Sequence, residues 1–212
     1  MPAMPSVTVR GSALAAVAPD RAELSLAITH LAADPATALE EVSTRSQRLE
    51  QMLAALGIGR SEWTTDGVQV AEEHQWKNDS NVLVGHRATT ALTVTVRSTE
   101  LVSAVIRDGV TDAGASVRSL TWRVDADNPA RAALLGAAAR DALVRATAYA
   151  DALGLRLGEV ELISEVPLVP EPSPQPRTMM AAAKMADSVE LSVSSGTVEL
   201  NAEVYVRFAI LR

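Results

Sequence analysis

The sequence predicts an α+β protein in which two βαββ repeats form a largely antiparallel sheet covered by helices, with an added N-terminal strand and central helix. Three observations predict this fold. Two helices share the same start and stop signals, strand-like segments flank each helix, and a long alternating strand ends each repeat. The chain of 212 residues is long enough for one large domain or two small ones.

Both repeat helices begin with a capping side chain before a proline and end with a leucine before a glycine. An Asp or Asn side chain can accept a backbone N–H of the first turn, and proline suits the first helical position. Glycine after the last apolar residue is the usual stop. The four landmark pairs are Asp34-Pro35 and Leu56-Gly57 in one copy, and Asn128-Pro129 and Leu153-Gly154 in the other.

Strand patterns extend the repeat on both sides of each helix. Matching the two copies places Leu26 over Leu120 and Leu56 over Leu153. After each helix come a strand, a variable connection and a long return strand, so the repeats cover about 21–97 and 115–212. Outside them, "SVTVRG" predicts a leading strand that pairs with the strand from Arg21 through a turn at "APD". The segment "STELVSAVIRDGVTDAGA" predicts a central helix capped by Ser98 or Thr99.

The variable connection is about eleven residues in the first copy, "AEEHQWKNDSN", and much longer in the second. In the second copy it becomes a hairpin insertion of about 167–195, in which five prolines fall between Pro167 and Pro176. The strands that flank it, around 160–166 and 197–210, are expected to pair.

Four side chains in these connections are candidate contacts to a partner or another subunit. Trp76 lies in the polar connection of the first copy, and flexible methionines suit adaptable protein contacts. Alternatively, the methionine segment packs back on its own sheet or is disordered. The candidates are Trp76, Met179, Met180 and Met185.

Composition and charge exclude several classes of function. The net charge is −7 and no basic cluster exists, which argues against nucleic-acid binding. There is no cysteine, so disulfides and thiolate chemistry are excluded. No apolar run approaches about 18 residues, so no membrane span is expected. The N-terminus lacks the charged start and apolar run of an export signal, which predicts a cytoplasmic protein.

No catalytic residue, metal site or cofactor is predicted. His30, His74 and His86 are the only histidines, and their spacing is not that of metal ligands. No glycine-rich phosphate loop precedes a helix, and no serine stands in a nucleophile elbow.

The order and spacing of several segments resemble the SIMPL domain family. They include "APDRAELSLAI", "TTDGVQV", "GHRATTALTVTVR", "DAGASVRSLTWRVDADNPAR", "ATAYADALGLRLGEV" and "VELNAEVYVRFAIL". The resemblance implies a single SIMPL-like domain over 1–212 with an α+β fold, homo-oligomers in some members, and no established enzyme activity. Eukaryotic relatives are linked to a signalling kinase and some bacterial ones to envelope or oxidative-stress roles. Many bacterial members carry an export signal, from which this sequence departs.

Two hypotheses about function follow. The first is a non-enzymatic assembly or protein-interaction domain that forms a homo-oligomer, with a link to stress and room for a further protein partner. The second is a small-molecule-binding or stress-protection protein whose pocket lies between subunits. An enzyme would need a site that the sequence does not contain.

Overall fold

The computed structural model describes residues 5–77, 79–167 and 194–211. Three helices and seven strands in the described chain confirm the predicted α+β class. They follow one another as β1 (Ser6–Val17), β2 (Arg21–Ala32), α1 (Pro35–Ala55), β3 (Trp63–Lys77), β4 (Ser80–Val96), α2 (Thr99–Ala113), β5 (Ser116–Arg123), α3 (Pro129–Ala152), β6 (Arg156–Ser164) and β7 (Val198–Leu211).

The strands form two antiparallel sheets, where the sequence predicted one. One sheet has the order β3-β4-β2-β5 and the other the order β1-β7-β6. The chain divides into two compact units that match these sheets. We call residues 18–125 with 194–196 the four-stranded unit, and residues 5–17, 126–167 and 197–211 the three-stranded unit.

Two strands pair differently from the prediction. β1 pairs with β7, from Ser6 opposite Ala209 to Val17 opposite Val198, so the expected pairing of the leading strand with β2 is wrong. β5 pairs with β2 in the four-stranded sheet, and not with the other strands of its own repeat. The predicted superposition of Leu26 on Leu120 is therefore wrong, because both lie in one sheet. The domain and repeat limits stay predictions.

The helix boundaries follow the local signals that predicted them. Asp34 and Ser98 each accept a hydrogen bond from the backbone N–H three residues later, at 2.9 Å and 3.1 Å. Asn128 accepts one from the N–H two residues later at 2.9 Å. Past the repeat helices, Gly57 and Gly154 have φ of 79° and 65°, the left-handed conformation that ends a helix.

The core of the four-stranded unit lies between its sheet and the helices α1 and α2. Alternate side chains of β2 and β4 point towards the helices, whose own apolar stripes cover them. The largest fully buried apolar side chains are Leu24, Leu26, Ile28, Val42, Leu49, Leu53, Leu92, Val94, Val96, Val102 and Val105.

The core of the three-stranded unit is built from small residues. One ridge of α3, with Ala138, Ala142 and Ala146 fully buried, packs on β1 and β7. A Cβ atom added at Gly11 of β1 would lie 2.1 Å from the carbonyl oxygen of Ala138, so only glycine allows this approach.

Asp141 of α3 reaches the free edge of β1. Its carboxylate accepts the backbone N–H of Ser12 at 2.9 Å, and this hydrogen bond lowers the pKa of Asp141. One donor of an otherwise open strand edge is thereby occupied, which opposes unwanted strand pairing at that point.

The predicted pairing on either side of the proline-rich insertion is confirmed. β6 and β7 are antiparallel neighbours, with Leu157 opposite Ile210 and Ser164 opposite Tyr205. Residues 168–193 of the predicted insertion lie outside the described residues.

A group of ion pairs holds β5 against β2. Arg21 lies directly opposite Arg123, an arrangement of like charges that destabilises a strand pair. Glu23 accepts hydrogen bonds from Arg123 at 2.9 Å and Arg21 at 3.4 Å, while Asp125 binds both Arg21 and Arg97. The hydrogen bond from Arg123 is the main reason that the pKa of Glu23 lies below its ordinary value.

We predict that Gly11→Ala lowers the free energy of unfolding by about 2 kcal/mol, because the new methyl group overlaps the backbone of α3. Gly136→Ala is the matched control. It lies inside α3, where the added Cβ would meet only the Arg140 side chain at 3.5 Å, so stability should rise by about 0.5 kcal/mol. Urea denaturation measures both changes, and a Gly11→Ala variant as stable as the wild type would contradict the packing described.

We also predict that Glu23 makes the protein acid-sensitive. A carboxylate whose folded pKa is depressed stabilises the fold above its unfolded pKa, and that contribution is lost as the pH falls through the folded pKa. Glu23→Gln should therefore be less stable near neutral pH and lose less stability on acidification to about pH 3. Denaturation across this pH range tests the prediction, with the exposed Glu40→Gln as control. An unchanged pH dependence in Glu23→Gln would refute it.

Candidate interaction site

β3 and β4 extend beyond the rest of their sheet as a two-stranded arm. β2 stops pairing with β4 at His86, whereas β3 and β4 stay paired out to Lys77 opposite Ser80. We call residues 72–77 and 79–85 the hairpin arm. A two-stranded hairpin is at best marginally stable alone in water, so an arm of this kind gains from a further contact.

Trp76 lies on this arm, and its predicted position in a polar loop is wrong. It pairs with Asn81 and its relative exposure is 71%. Leu83 pairs with His74 on the same face of the arm, and is 47% exposed. Val82 lies on the other face and is 42% exposed. Trp76 and Leu83 are two large apolar side chains exposed on one face, which we call the apolar face of the arm, and such exposed apolar groups are typical of an interaction site.

The sequence did not reveal Leu83 and Val82 because both faces of the arm carry polar residues. Without one buried face, the strict alternation that identifies a strand is missing. One signal was present: Asn78-Asp79 is a residue pair that suits a two-residue hairpin turn, and Asp79 has a φ of 57°.

Charges of both signs surround the apolar face. Arg87 donates a hydrogen bond to Glu73 at 2.9 Å, which is the main cause of the lowered pKa of Glu73. His74 lies 3.6 Å from the carboxylate of Glu72. Over residues 71–87 the charged side chains sum to −1, out of −7 for the whole chain; they are Glu72, Glu73, Asp79, Lys77 and Arg87.

The other two tryptophans are parts of the four-stranded core. Trp63 is only 6% exposed, and the Arg60 guanidinium stacks 3.9 Å from its ring centroid. Trp122 is half-buried and packs against the core, as its position on an apolar strand face indicated. Trp76 is thus the tryptophan available for contact.

The three methionine candidates, Met179, Met180 and Met185, lie outside the described residues, and their contact role stays a prediction. Within the described ranges, no group of three or more His, Asp or Glu side chains could hold a metal ion. In the same ranges, no helix combines the length and apolar character needed to cross a bilayer.

The sequence profile of the SIMPL family, described as proteins of unknown function (DUF541), matches residues 7–208. This chain belongs to the SIMPL family. The resemblance found in the sequence segments is thereby confirmed, and membership brings no established activity with it.

Several curated proteins are similar to this SIMPL chain. A 26 kDa periplasmic immunogenic protein of Brucella melitensis is 28% identical, over 96% of this chain and 84% of its own length. The uncharacterized protein YggE of Escherichia coli K12 is 23% identical, over 99% of this chain and 85% of its own length. YggE of Edwardsiella ictaluri is 27% identical, over 86% and 76% of the two chains.

These relatives overturn the expectation of a cytoplasmic location. The Brucella protein is periplasmic by name and aligns with nearly all of this SIMPL chain, so the cytoplasmic assignment is wrong. That assignment rested on the first residues of the sequence alone, which were a poor guide.

Proposed function

We propose that this protein is an exported, non-enzymatic assembly protein that binds a second copy of itself through the hairpin arm. The observation that carries the proposal is the exposed apolar face formed by Trp76 and Leu83 on a two-stranded extension of the sheet. Large aromatic side chains supply much of the energy at protein interfaces, and tryptophan is enriched among the residues that matter most.

The charges of the arm allow a second copy as the occupant. Two molecules of net charge −7 repel, but the segment 71–87 contains charges of both signs that sum to only −1, so oppositely charged groups of two arms can face each other. Lys77 of one arm can face Glu72 of another and the reverse, which is the reciprocal contact that a symmetric interface allows.

The proposal of export rests on the relatives. The Brucella relative is named as periplasmic, and a chain with no cysteine cannot form wrong disulfides in an oxidising compartment. The family description and the relatives' names state no enzyme activity, and the binding role rests on the hairpin arm.

We predict that Trp76→Ala combined with Leu83→Ala lowers the assembly mass while the fold is kept. Both side chains are exposed, so their truncation removes contact area between copies without opening a cavity in the core. Size-exclusion chromatography with light scattering measures the mass, and circular dichroism checks the fold. The matched control is Tyr149→Ala, an aromatic that is 60% exposed on α3, and it should keep the wild-type mass.

A wild-type chain that is monomeric at all concentrations tested would refute assembly altogether. Unchanged mass in the double variant would refute the role of the arm, and an equal loss of mass in Tyr149→Ala would show that the effect is not specific.

A separate prediction concerns location. The full-length protein, made in the bacterium that encodes it, should be released with the periplasmic fraction on gentle disruption of the outer envelope. A cytoplasmic enzyme measured in the same fractions is the control, and co-fractionation with that enzyme would refute export.

A further inference from the structure

We propose a binding site for a small α-amino acid in a cavity on the face of the four-stranded sheet turned away from α1 and α2. The cavity has a volume of about 200 Å³ and lies over β3, β4 and β5. Its polar lining comes from Asp66 and Gln69 of β3, Thr89 of β4 and Arg118 of β5. This site is distinct from the hairpin arm and does not depend on the proposed assembly.

The alternation of side chains along β4 shows that the cavity lies on the face of the sheet turned away from the helices. Leu92 is fully buried in the core under the helices, and Thr90 beside it is 2% exposed. Thr89, Ala91 and Thr93 therefore point the other way. Thr93 donates its hydroxyl to the Asp66 carboxylate at 2.9 Å, which fixes Asp66 on that face as well.

Two irregularities in strand pairing border this cavity. The register of β3 against β4 slips between Thr65 and Val68, where Gly67 takes a φ of 110° and its carbonyl accepts the Thr90 hydroxyl at 2.9 Å. The register of β5 against β2 slips at Arg118, which has no opposite residue. Bulges redirect side chains and are over-represented beside binding sites. Here one redirects the segment that carries Asp66 and the other redirects Arg118.

Arg118 is placed to bind an anion. Strands β5 and β3 are the two edges of the sheet, about 14 Å apart at the usual strand spacing. Arg118 lines the cavity together with Ala91 of β4, so its side chain extends inwards from the edge strand β5. Among the described residues, the Arg118 guanidinium has no ion pair or hydrogen bond. A guanidinium stays charged and binds a carboxylate through two parallel hydrogen bonds.

Asp66 restricts which anions fit. Its carboxylate accepts one hydrogen bond from Thr93 and keeps acceptor capacity for a cationic donor. A phosphate or dicarboxylate entering this small cavity would be repelled by Asp66, whereas a ligand with one carboxylate and one ammonium group satisfies both ends. Gln69 can donate or accept in between, and the Thr89 hydroxyl, which shares a hydrogen bond with Thr29 at 3.1 Å, keeps acceptor capacity. The volume of about 200 Å³ accommodates amino acids with small side chains, such as alanine or serine.

Isothermal titration calorimetry of the full chain with L-alanine and L-serine tests the proposal. We expect saturable binding of at least one of them, with one site per chain. Arg118→Gln and Asp66→Asn should each weaken the affinity about tenfold or more, since each removes a charge-assisted hydrogen bond. Arg48→Gln, which removes an exposed charge from α1 of the same unit, should bind like the wild type.

Ligands that carry only one of the two charged groups of an amino acid distinguish an amino-acid site from a simple ion site. Acetate should bind more weakly than alanine and respond to Arg118→Gln, and methylammonium should respond to Asp66→Asn. If acetate bound as tightly as alanine, the cavity would be only an anion site and the proposal would be wrong. No saturable heat with either amino acid, or an equal loss in Arg48→Gln, would also refute it.

Two further measurements keep the result independent of folding and assembly. If Arg118→Gln fails to fold, Arg118→Lys keeps the charge without the bidentate geometry and should weaken binding to a smaller extent; full affinity in that variant would contradict the assigned role. The double variant at Trp76 and Leu83 should bind alanine like the wild type. Loss of binding there would place the ligand at the arm instead.

Discussion

The pairing of β1 with β7 is the constraint on which the rest of the structure depends. Strands β1 and β7 lie side by side over twelve residue pairs, so the three-stranded sheet forms only when two segments far apart in the sequence meet. Its helix α3 packs so closely that Gly11 has no space for a side chain, and the buried ridge of the helix is alanine. The small residues that make the composition alanine-rich are thus needed where α3 contacts β1.

The pairing of β1 with β7 also changes the partner of β5. Because β1 takes the place beside β7, β5 is left without a partner in its own repeat and pairs with β2. The acidic side chains Glu23 and Asp125 offset the arginines that this pairing brings together. The pairing of β5 with β2 also places Arg118 in the sheet that carries Asp66, so the proposed ligand site exists only in this topology.

Local signals in the sequence predicted the helix ends and most strands well, but they could not predict which distant strands pair. Caps such as Asp34 and Ser98 act within one helical turn, so the residues that determine them are adjacent in the chain. Alternation in β1 indicates a strand with one buried face but is satisfied equally by β2 or β7 as neighbour. The short turn between β1 and β2 therefore suggested a hairpin that does not form. Trp76 was predicted as a contact residue and is exposed, but its strand was not recognised, because a free arm has no buried face.

Strand β3 carries both proposed sites because it is an edge strand. One edge of its backbone pairs with β4, and almost all its side chains from Thr64 onwards are exposed. Two parts of β3 have different proposed roles: the residues at the bulge around Gly67 line the cavity, and residues 72–77 belong to the hairpin arm. Ligand and second copy would then contact different side chains of one continuous strand. Changes at Asp66 and at Trp76 can therefore separate binding from assembly, although only nine residues of a single strand lie between them.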